Sequence, residues 1–311
     1  HIPTPSPYPR LKLAYGLKAR YTMHLLKRSA NKDADMEKVL EYVNNSFESA
    51  EEQAAFDVYD ANNINPLYGF FVARAGLGAS ESMRSKLAEY NDPRLSRAFI
   101  TKQGTSGKEQ APGTADNAVY APNGTPEQGT SKYGTSLFMY SISAPTLLLS
   151  YHELKFLEAE ALCRLERDAK SALKDAVVAG LLNAENSFTI SRKELGKTLI
   201  NAASSITEAE AESYFDNTIE AKYTAEPLKT TMTQKYFALW GASGEATESY
   251  NDVRRMKGLG ENFIELKNPN SFPLRCPYGN SDTTTNAEVK AAYGNGQYVY
   301  SENVWWAGGS R

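Results

Sequence analysis

The chain has 311 residues, a formal net charge of -3 at pH 7, 19 tyrosines and two cysteines. This length allows an extensive core, in one elongated domain or two compact ones. The near balance of charge argues against recruitment of nucleic acid or an anionic membrane by a global field. Cys163 and Cys276 lie neither in a Cys-x-x-Cys pair nor next to a histidine. A metal site, a thiol catalyst or a cofactor is therefore not expected.

The first predicted element is an amphipathic helix that ends near Arg28. It is marked by apolar residues at helical spacing: Leu11, Ala14, Leu17, Tyr21 and Leu25. Its basic character also fits a transit peptide or a membrane anchor. A second predicted helix follows at Asp35–Phe47, and the short polar turn between the two favours an αα-hairpin. Because the chain lacks a starting Met and a hydrophobic signal segment, a fragment or a processed form is expected.

After the first two predicted helices, aromatic residues alternate with polar stretches. They gather in Phe56–Arg74, and Ser80–Tyr90 then predicts a short helix with Ser80 as its cap. Thr101–Ser136 has the composition of a loop, and a loop of that length is usually functional or mobile. Its rings could stack on a sugar, clamp a peptide or pin the loop to the body of the protein, and composition leaves these alternatives open.

The predicted central element is a long helix at Ser150–Asn183 that breaks near Gly180. Its apolar residues form one stripe that a second helix must cover: Leu154, Leu157, Ala161, Leu165, Ala169, Ala172 and Ala176. Further helices are predicted at Ser191–Ile200, Ala209–Tyr223 and Leu228–Trp240, at a spacing close to that of tetratricopeptide-like repeats. The tail from Leu259 is predicted to be irregular, with Trp305 and Trp306 as a buried indole pair that anchors it.

Several motifs occur in a recognisable order. YHELKFLEAEA, from Tyr151, resembles the Y-x-E-x-x-F-L-x-A-E-A helix of the SusD/RagB family of outer-membrane nutrient-binding lipoproteins. QKYFALW, from Gln234, with the later Arg254-Arg255, is similar to that family's QKW-x-AL and RR segment. The helix from Leu11, the turn NDPR from Asn91 and the closing region around Arg275–Tyr278 and Trp305-Trp306 resemble further family motifs. Thr247 and Gly279 depart from the family pattern, which has Trp and Pro there.

The resemblance implies an all-α fold, an α/α superhelix of tetratricopeptide-like helix pairs with long irregular loops. It implies one domain over 1–311, with helical repeats at about 10–50 and 145–258, a loop-rich ligand region at about 56–140 and an irregular tail at 259–311. It also implies a non-catalytic, cell-surface role: capture of oligosaccharide, or of peptide, for import by a SusC-like TonB-dependent outer-membrane transporter. The membrane contact would be a lipid anchor outside this stretch, which resembles the C-terminal portion of the family chain.

The predicted ligand contacts are rings that are expected to be exposed on the polar loops: Tyr68, Phe70, Tyr120 and Tyr133. Glu153, Glu158 and Glu160 could in principle act as the acid and base of a glycosidase, but buried carboxylates on a helix more often accept hydrogen bonds from arginine. His152 lies outside any HExxH pattern and is expected to be structural. Arg254 and Arg255 are expected to form salt bridges between helices. The alternatives are a helical-repeat adaptor that binds peptides and an α-helical glycoside hydrolase.

Overall fold

The computed structural model of the protein describes residues 8–73, 78–103, 108–110, 119–124, 133–195, 204–241, 244–267 and 271–309. Its helices are α1 (Tyr8–His24), α2 (Lys32–Asn44), α3 (Pro66–Ala73), α4 (Glu81–Glu89), α5 (Arg94–Ala98), α6 (Tyr151–Arg164), α7 (Lys170–Leu195), α8 (Glu208–Tyr214), α9 (Glu220–Ala225), α10 (Pro227–Ala238), α11 (Ala246–Leu259), α12 (Asn280–Thr285) and α13 (Ala287–Tyr293). Its strands are β1 (Ala54–Phe56), β2 (Phe99–Gln103), β3 (Lys108–Gln110), β4 (Thr135–Ser136) and β5 (Thr146–Leu149). The prediction of an all-α class is confirmed.

The body of the protein is a stack of helix pairs. α1 and α2 form the predicted hairpin and pack on α6, while α10 packs on both α6 and α7. A π-helical turn at Phe215–Ile219 joins α8 to α9, and this continuous stretch covers the other side of α7. Pro227 occupies the first turn of α10, where its missing N–H has no helical partner to lose.

The predicted helix Ser150–Asn183 is two helices, and its break lies at 165–169 instead of at Gly180. Glu166 adopts a left-handed conformation with φ of +55°, and the Asp168 carboxylate accepts a hydrogen bond from the Lys170 N–H at 3.0 Å. These two features end α6 and begin α7. Gly180 lies inside α7. A Cβ atom at this position would lie 3.0 Å from the Cβ of Ala238, which is a tight contact. The glycine therefore lets α10 approach closely and does not stop the helix.

The single apolar stripe predicted along this segment is correspondingly divided between two hydrophobic clusters. Leu154, Leu157 and Ala161 pack with the apolar residues of α1 and α2. Ala169, Ala172 and Ala176 pack instead with α8 and the π-helical turn. The chain reversal after α6 is what sends the two halves of the stripe to different partners.

The predicted apolar row of α1 lies mostly on its exposed side. Leu11, Tyr21 and Leu25 are exposed, whereas Ala19 and Met23 face α2 and α6. Gly16 belongs to the covered side, where a Cβ atom would lie only 2.3 Å from Leu149 Cδ2. The sequence carries two helical rows on α1, and the smaller side chains form the packed one because they allow a close approach.

The predicted loop region contains regular structure. β2 pairs antiparallel with β3 and with β4, so part of Thr101–Ser136 is strand. α3 occupies part of the aromatic stretch Phe56–Arg74. β1 pairs with β5 immediately before α6. α12 and α13 likewise add two short helices to the tail that was predicted to be irregular.

Two buried ion pairs join helices in the core, and we refer to Arg20–Glu153 and Arg255–Glu160 as the helix-joining ion pairs. Arg20 Nε donates to Glu153 Oε1 at 2.8 Å, and Arg255 Nη2 donates to Glu160 Oε2 at 2.9 Å. Arg164 also pairs with Glu160, at 2.8 Å. The predicted bridge from Arg255 is thus confirmed.

Arg254 differs from its neighbour. It donates to the Leu274 carbonyl, and its guanidinium lies 4.8 Å from the centre of the Trp306 ring. It therefore fastens the tail to α11 instead of bridging to another helix through a carboxylate.

Within the described ranges, no helix is both long and apolar enough to cross a lipid bilayer. In the same ranges, His, Cys, Asp and Glu side chains do not gather in groups of three or more that could hold a metal ion.

Candidate functional site

The candidate ligand site is a groove of about 520 Å³ beside α4, which we call the α4 groove. One wall is the polar side of α4, the other is the segment Phe263–Lys267, and α10 forms the floor. Pro122 and Asn123 close one end. The volume lies within the range of about 300–1,000 Å³ that is usual for small-molecule sites.

Local sequence signals position α4. The Ser80 hydroxyl accepts a hydrogen bond from the Met83 N–H at 3.2 Å, as expected for the predicted cap, and it donates to Asn123 Oδ1 at 2.9 Å. Met83 and Leu87 are buried below the helix. The start of α4 is therefore tied to the segment that closes the groove, and the opposite side of the helix faces the groove.

The turn NDPR fixes the other end of α4. Asn91 takes a left-handed conformation with φ of +48°, which asparagine tolerates better than most residues. The Asp92 carboxylate then accepts hydrogen bonds from the Arg94 guanidinium at 2.8 and 2.6 Å and from the Tyr214 hydroxyl at 3.3 Å. A buried charge pair therefore holds the end of α4 against α8.

The second wall of the groove is fixed by a glycine and a buried isoleucine. Gly260 ends α11 with φ of +83°, in the left-handed region. Ile264 is buried against Met232, Val253 and Met256. Phe263 and Glu265, on either side of Ile264, are less buried and line the groove.

The groove combines aromatic rings with hydrogen-bonding groups. The rings of Tyr90 and Phe237 meet edge to face at 5.3 Å, and Phe263 lies on the opposite wall. Hydroxyl and amide groups of Ser82, Ser85, Asn123 and Thr233 line the same space. Rings beside hydroxyl and amide donors suit a ligand that has both apolar faces and many hydroxyl groups, such as a sugar.

The charged side chains of the groove are three glutamates and three lysines: Glu81, Glu89, Glu265, Lys86, Lys229 and Lys267. Lys229 pairs with Glu226 at 2.8 Å, and Lys267 pairs with Glu265 at 2.6 Å. Lys86 differs from both, because its Nζ atom donates to the Ser82 hydroxyl at 2.7 Å and the side chain is half-buried. Burial lowers the pKa of the Lys86 ammonium below its usual value.

The four predicted ligand rings do not line the α4 groove, and two of them are not exposed. Tyr120 is 8% exposed and Tyr133 is 4% exposed. Tyr120 meets Phe99 edge to face at 5.4 Å, and the Arg84 guanidinium lies 4.8 Å from its ring centre. The expectation of exposed rings is therefore wrong for Tyr120 and Tyr133. Gly78 and Gly134 leave room for these two rings, which instead pin their segments to the body.

Tyr68 and Phe70 both lie on α3, two positions apart, so their side chains point to different sides of the helix. Tyr68 is half-buried, and Phe70 is 49% exposed, as predicted. α3 is held in place by Asn65, whose side chain donates to the Ala144 carbonyl at 2.7 Å and accepts from the Leu67 N–H at 2.7 Å. The two rings are thus presented by a rigidly capped helix.

The carboxylates of α6 have structural partners, as the sequence predicted. Glu153 and Glu160 are fully buried in the helix-joining ion pairs. Burial acts to raise the pKa of Glu160, but the Arg255 and Arg164 charges outweigh it and hold that pKa well below its usual value. Glu158 pairs with Lys155 at 2.6 Å.

His152 is buried next to Glu245, and burial shifts the pKa of each side chain in the direction that favours its neutral form. Burial and the Arg94 charge lower the pKa of His152 to about 3. Burial and the nearby Glu153 raise the pKa of Glu245 well above its usual value. The distance of 3.9 Å between His152 Nε2 and Glu245 Oε2 is therefore not that of a charged pair. The structural role expected for His152 agrees with this burial.

The predicted burial of the tail's indole pair is wrong for Trp305. This side chain is 54% exposed, with the Arg28 guanidinium 5.1 Å from its ring. Anchoring comes from the backbone instead, because Arg28 Nε donates to the Trp305 carbonyl at 2.6 Å.

The sequence does contain a signal for the groove, in the form of a polar row on α4. Ser82, Ser85, Lys86 and Glu89 lie on the side of α4 opposite Met83 and Leu87. A polar row of this kind is usually a solvated face. Only the approach of the distant segment Phe263–Lys267 converts it into the wall of a groove.

Comparison with known proteins identifies the family. The sequence model of a SusD-like family, described as starch-binding and associating with the outer membrane, matches residues 10–278. A solved SusD/RagB family protein of Bacteroides thetaiotaomicron is 66% identical, with a TM-score of 0.92. The chain belongs to the SusD/RagB family.

More distant members of the SusD/RagB family share the fold. A SusD homolog from Bacteroides fragilis is 19% identical with a TM-score of 0.70, and the match covers 97% of this chain and 68% of that one. A SusD homolog from Bacteroides vulgatus is 22% identical with a TM-score of 0.61, and the match covers 98% and 64%. The match to the Bacteroides thetaiotaomicron protein covers 97% of this SusD/RagB chain and 65% of that protein. No functionally curated protein shows significant sequence similarity to the chain.

Proposed function

We propose that this protein is a non-catalytic glycan-binding component of the outer-membrane surface, and that the α4 groove forms part of its ligand site. Membership of a family described as starch-binding carries the proposal. The rings of Tyr90 and Phe263 beside the hydroxyl groups of Ser85 and Thr233 support the placement, because sugars offer both apolar faces and hydroxyl groups to such a surface.

The absence of a catalytic role is part of the proposal, and the carboxylates of α6 support it. A retaining or inverting glycosidase needs two accessible carboxyl groups on either side of the scissile bond. Glu153 and Glu160 are buried and engaged by arginines. They stabilise the contacts between helices and have no access to a sugar.

The proposed partner is a SusC-like TonB-dependent transporter, which would import the captured oligosaccharide. The proposed location is the cell surface, with a lipid anchor in the full-length protein. Both parts rest on membership of the SusD/RagB family, whose model is described as associating with the outer membrane.

Tyr68 and Phe70 are proposed as accessory ligand contacts, because they lie on the well-anchored α3 and Phe70 is exposed. Tyr120 and Tyr133 would have to leave their packed positions to touch a sugar. Alanine at Tyr68 and Phe70 is therefore expected to weaken binding of a long oligosaccharide, while alanine at Tyr120 is expected mainly to reduce stability. Unchanged affinity of the Tyr68 and Phe70 double variant would remove α3 from the site.

Isothermal titration calorimetry of the full-length protein with a panel of neutral and acidic oligosaccharides tests the proposal. Tyr90→Ala and Phe263→Ala are expected to weaken binding about two- to ten-fold, since an aromatic contact contributes about 0.5–1.5 kcal/mol. Tyr300→Ala is the matched control, because Tyr300 is an exposed ring on the tail and outside the groove.

Co-purification of the full-length protein with a SusC-like transporter tests the partner. A complex together with binding of at least one glycan is the expected result. Failure of every glycan in the panel, combined with failure to recover a transporter complex, would refute the proposed function.

A further inference from the structure

The ammonium group of Lys86 is the unusual feature of the α4 groove. Lys86 lies one helical turn after Ser82, and the Ser82 hydroxyl accepts its hydrogen bond at 2.7 Å. Among the described residues, no carboxylate comes within ion-pair distance of its Nζ atom. An ammonium group has three N–H donors, so two donors of Lys86 have no acceptor among the residues that the structure describes.

The other two lysines of the groove show what Lys86 lacks. Lys229 and Lys267 are paired with Glu226 and Glu265, and their side chains are 40% and 58% exposed. Water and a nearby carboxylate therefore balance both charges. Lys86 is half-buried, and Glu265 already accepts from Lys267 at 2.6 Å. The charges of Glu265 and Glu89 act on Lys86 from a distance and offset only part of the effect of burial on its pKa. A charge taken partly out of water without a carboxylate in direct contact raises the free energy of the unliganded protein, and a ligand that brings a carboxylate to this position can recover that cost.

The surroundings of Lys86 limit what kind of anion fits. Tyr90 and Phe263 provide ring faces, and Ser85, Asn123 and Thr233 provide hydrogen-bonding groups. The three glutamates of the groove balance its three lysines, so the groove as a whole does not attract a densely charged polymer. The geometry therefore suits a ligand with mostly neutral sugar surface and one carboxylate near Lys86.

Resting on the proposed function, we infer that the α4 groove binds a glycan containing a uronic acid, and that Lys86 pairs with the uronate carboxylate. Tyr90 and Phe263 would contact the apolar faces of the sugar rings, while Ser82 holds the Lys86 side chain in position through its hydroxyl. The site is selective for the carboxylate form, because neither an ester nor a hydroxymethyl group can neutralise the ammonium charge.

The test compares two ligands that differ at a single carboxyl group. Calorimetry of the full-length protein is performed with a neutral oligosaccharide that carries one glucuronic acid residue and with the methyl ester of that residue, at low and at moderate salt. The acid is expected to bind at least ten-fold more tightly than the ester. Salt is expected to weaken binding of the acid and to have little effect on the ester.

Lys86→Gln is expected to abolish this preference, because glutamine keeps hydrogen-bonding capacity and removes the charge. Lys38→Gln is the matched control, since Lys38 is an exposed lysine on α2 and lies outside the groove. A thermal unfolding curve of each variant verifies that the fold is retained.

Two outcomes overturn the inference and leave the proposed function intact. In the first, a neutral oligosaccharide or the ester binds as tightly as the acid. In the second, Lys86→Gln binds the acid with the affinity of the unaltered protein. Failure of every glycan in the wider panel, combined with failure to recover a transporter complex, would instead refute the proposed function itself, so the two failures are distinguishable.

Discussion

The helix-joining ion pairs and the α4 groove differ in whether a positive charge removed from water has a carboxylate in direct contact. In the core, Arg20 and Arg255 are buried and each is paired with a carboxylate on α6. In the groove, Lys86 is half-buried and its protein partner is a neutral hydroxyl. Each core arginine is neutralised by a carboxylate of the same chain, whereas Lys86 has no carboxylate in direct contact among the described residues and is available to pair with a ligand.

The comparison separates residues that support the fold from residues available for binding. A buried charge with a partner contributes specificity to helix packing, and removal of one partner is costly. A partly buried charge without a partner contributes little to folding and is a candidate for ligand recognition. Variants of the helix-joining ion pairs should therefore lower the free energy of unfolding, whereas variants of Lys86 should change ligand affinity and have little effect on stability.

The largest effect is expected for Arg255→Met. It leaves Glu160 buried with less compensation, so the free energy of unfolding should fall by about 3–5 kcal/mol in urea denaturation. Arg167→Met is the control, because Arg167 pairs with Glu37 at the surface and should change stability by no more than about 0.5 kcal/mol. Equal losses in the two variants would contradict the role of the helix-joining pairs.

A second variant tests whether charge pairing or shape matters at this position. The double variant Arg255→Met with Glu160→Leu removes both charges, and Arg164 keeps its second partner, Glu261, at 2.8 Å. It should recover at least half of the stability lost in Arg255→Met, because apolar replacements can substitute for a buried pair. No recovery would mean that the shape of the pair is what the core requires.

An intermediate effect is expected from acid titration of His152. Its pKa is about 3 in the folded protein, while the unfolded chain takes up the proton near pH 6.5. Below pH 6.5 the unfolded state binds more protons, so stability falls as the pH decreases, by about 1.5 kcal/mol between pH 6.5 and 5. His152→Gln should remove this part of the slope in urea titrations at these two values. An unchanged slope would show that His152 is accessible to protons in the folded state.

The smallest effect on stability is expected for Lys86→Met. The substitution gives up one hydrogen bond to Ser82 but also removes a partly desolvated charge. The free energy of unfolding should therefore stay within about 0.5 kcal/mol of its original value. A loss above about 2 kcal/mol would place Lys86 with the structural residues and weaken its assignment to the ligand.

Much of the scaffold was predictable because its signals are local. The cap at Ser80 and the turn after Tyr90 depend on residues a few positions apart, and both occur as predicted. The order of motifs from Tyr151 to Arg255 also predicted the family. The break after α6 was misplaced, because Gly180 is a packing residue whose reason is Ala238, far away in the chain.

The ligand region was less predictable because exposure is not a local property. Tyr120 and Phe70 were both predicted to be ligand contacts, yet one ring is packed against Phe99 and the other is half exposed. The ring of Tyr120 is covered by Phe99 of β2, a partner distant in the sequence, whereas about half of the Phe70 side chain stays exposed on α3.

The sequence by itself therefore determined the all-α class, the capped helices and the SusD/RagB membership, since these depend on periodicity and on short motifs. Only the tertiary structure decided which row of α1 is covered, which rings are buried and where Lys86 meets Phe263–Lys267. Periodicity states that a helix has an apolar side and a polar side. It does not state which distant segment will lie against either side, and that choice is what makes the polar side of α4 a groove.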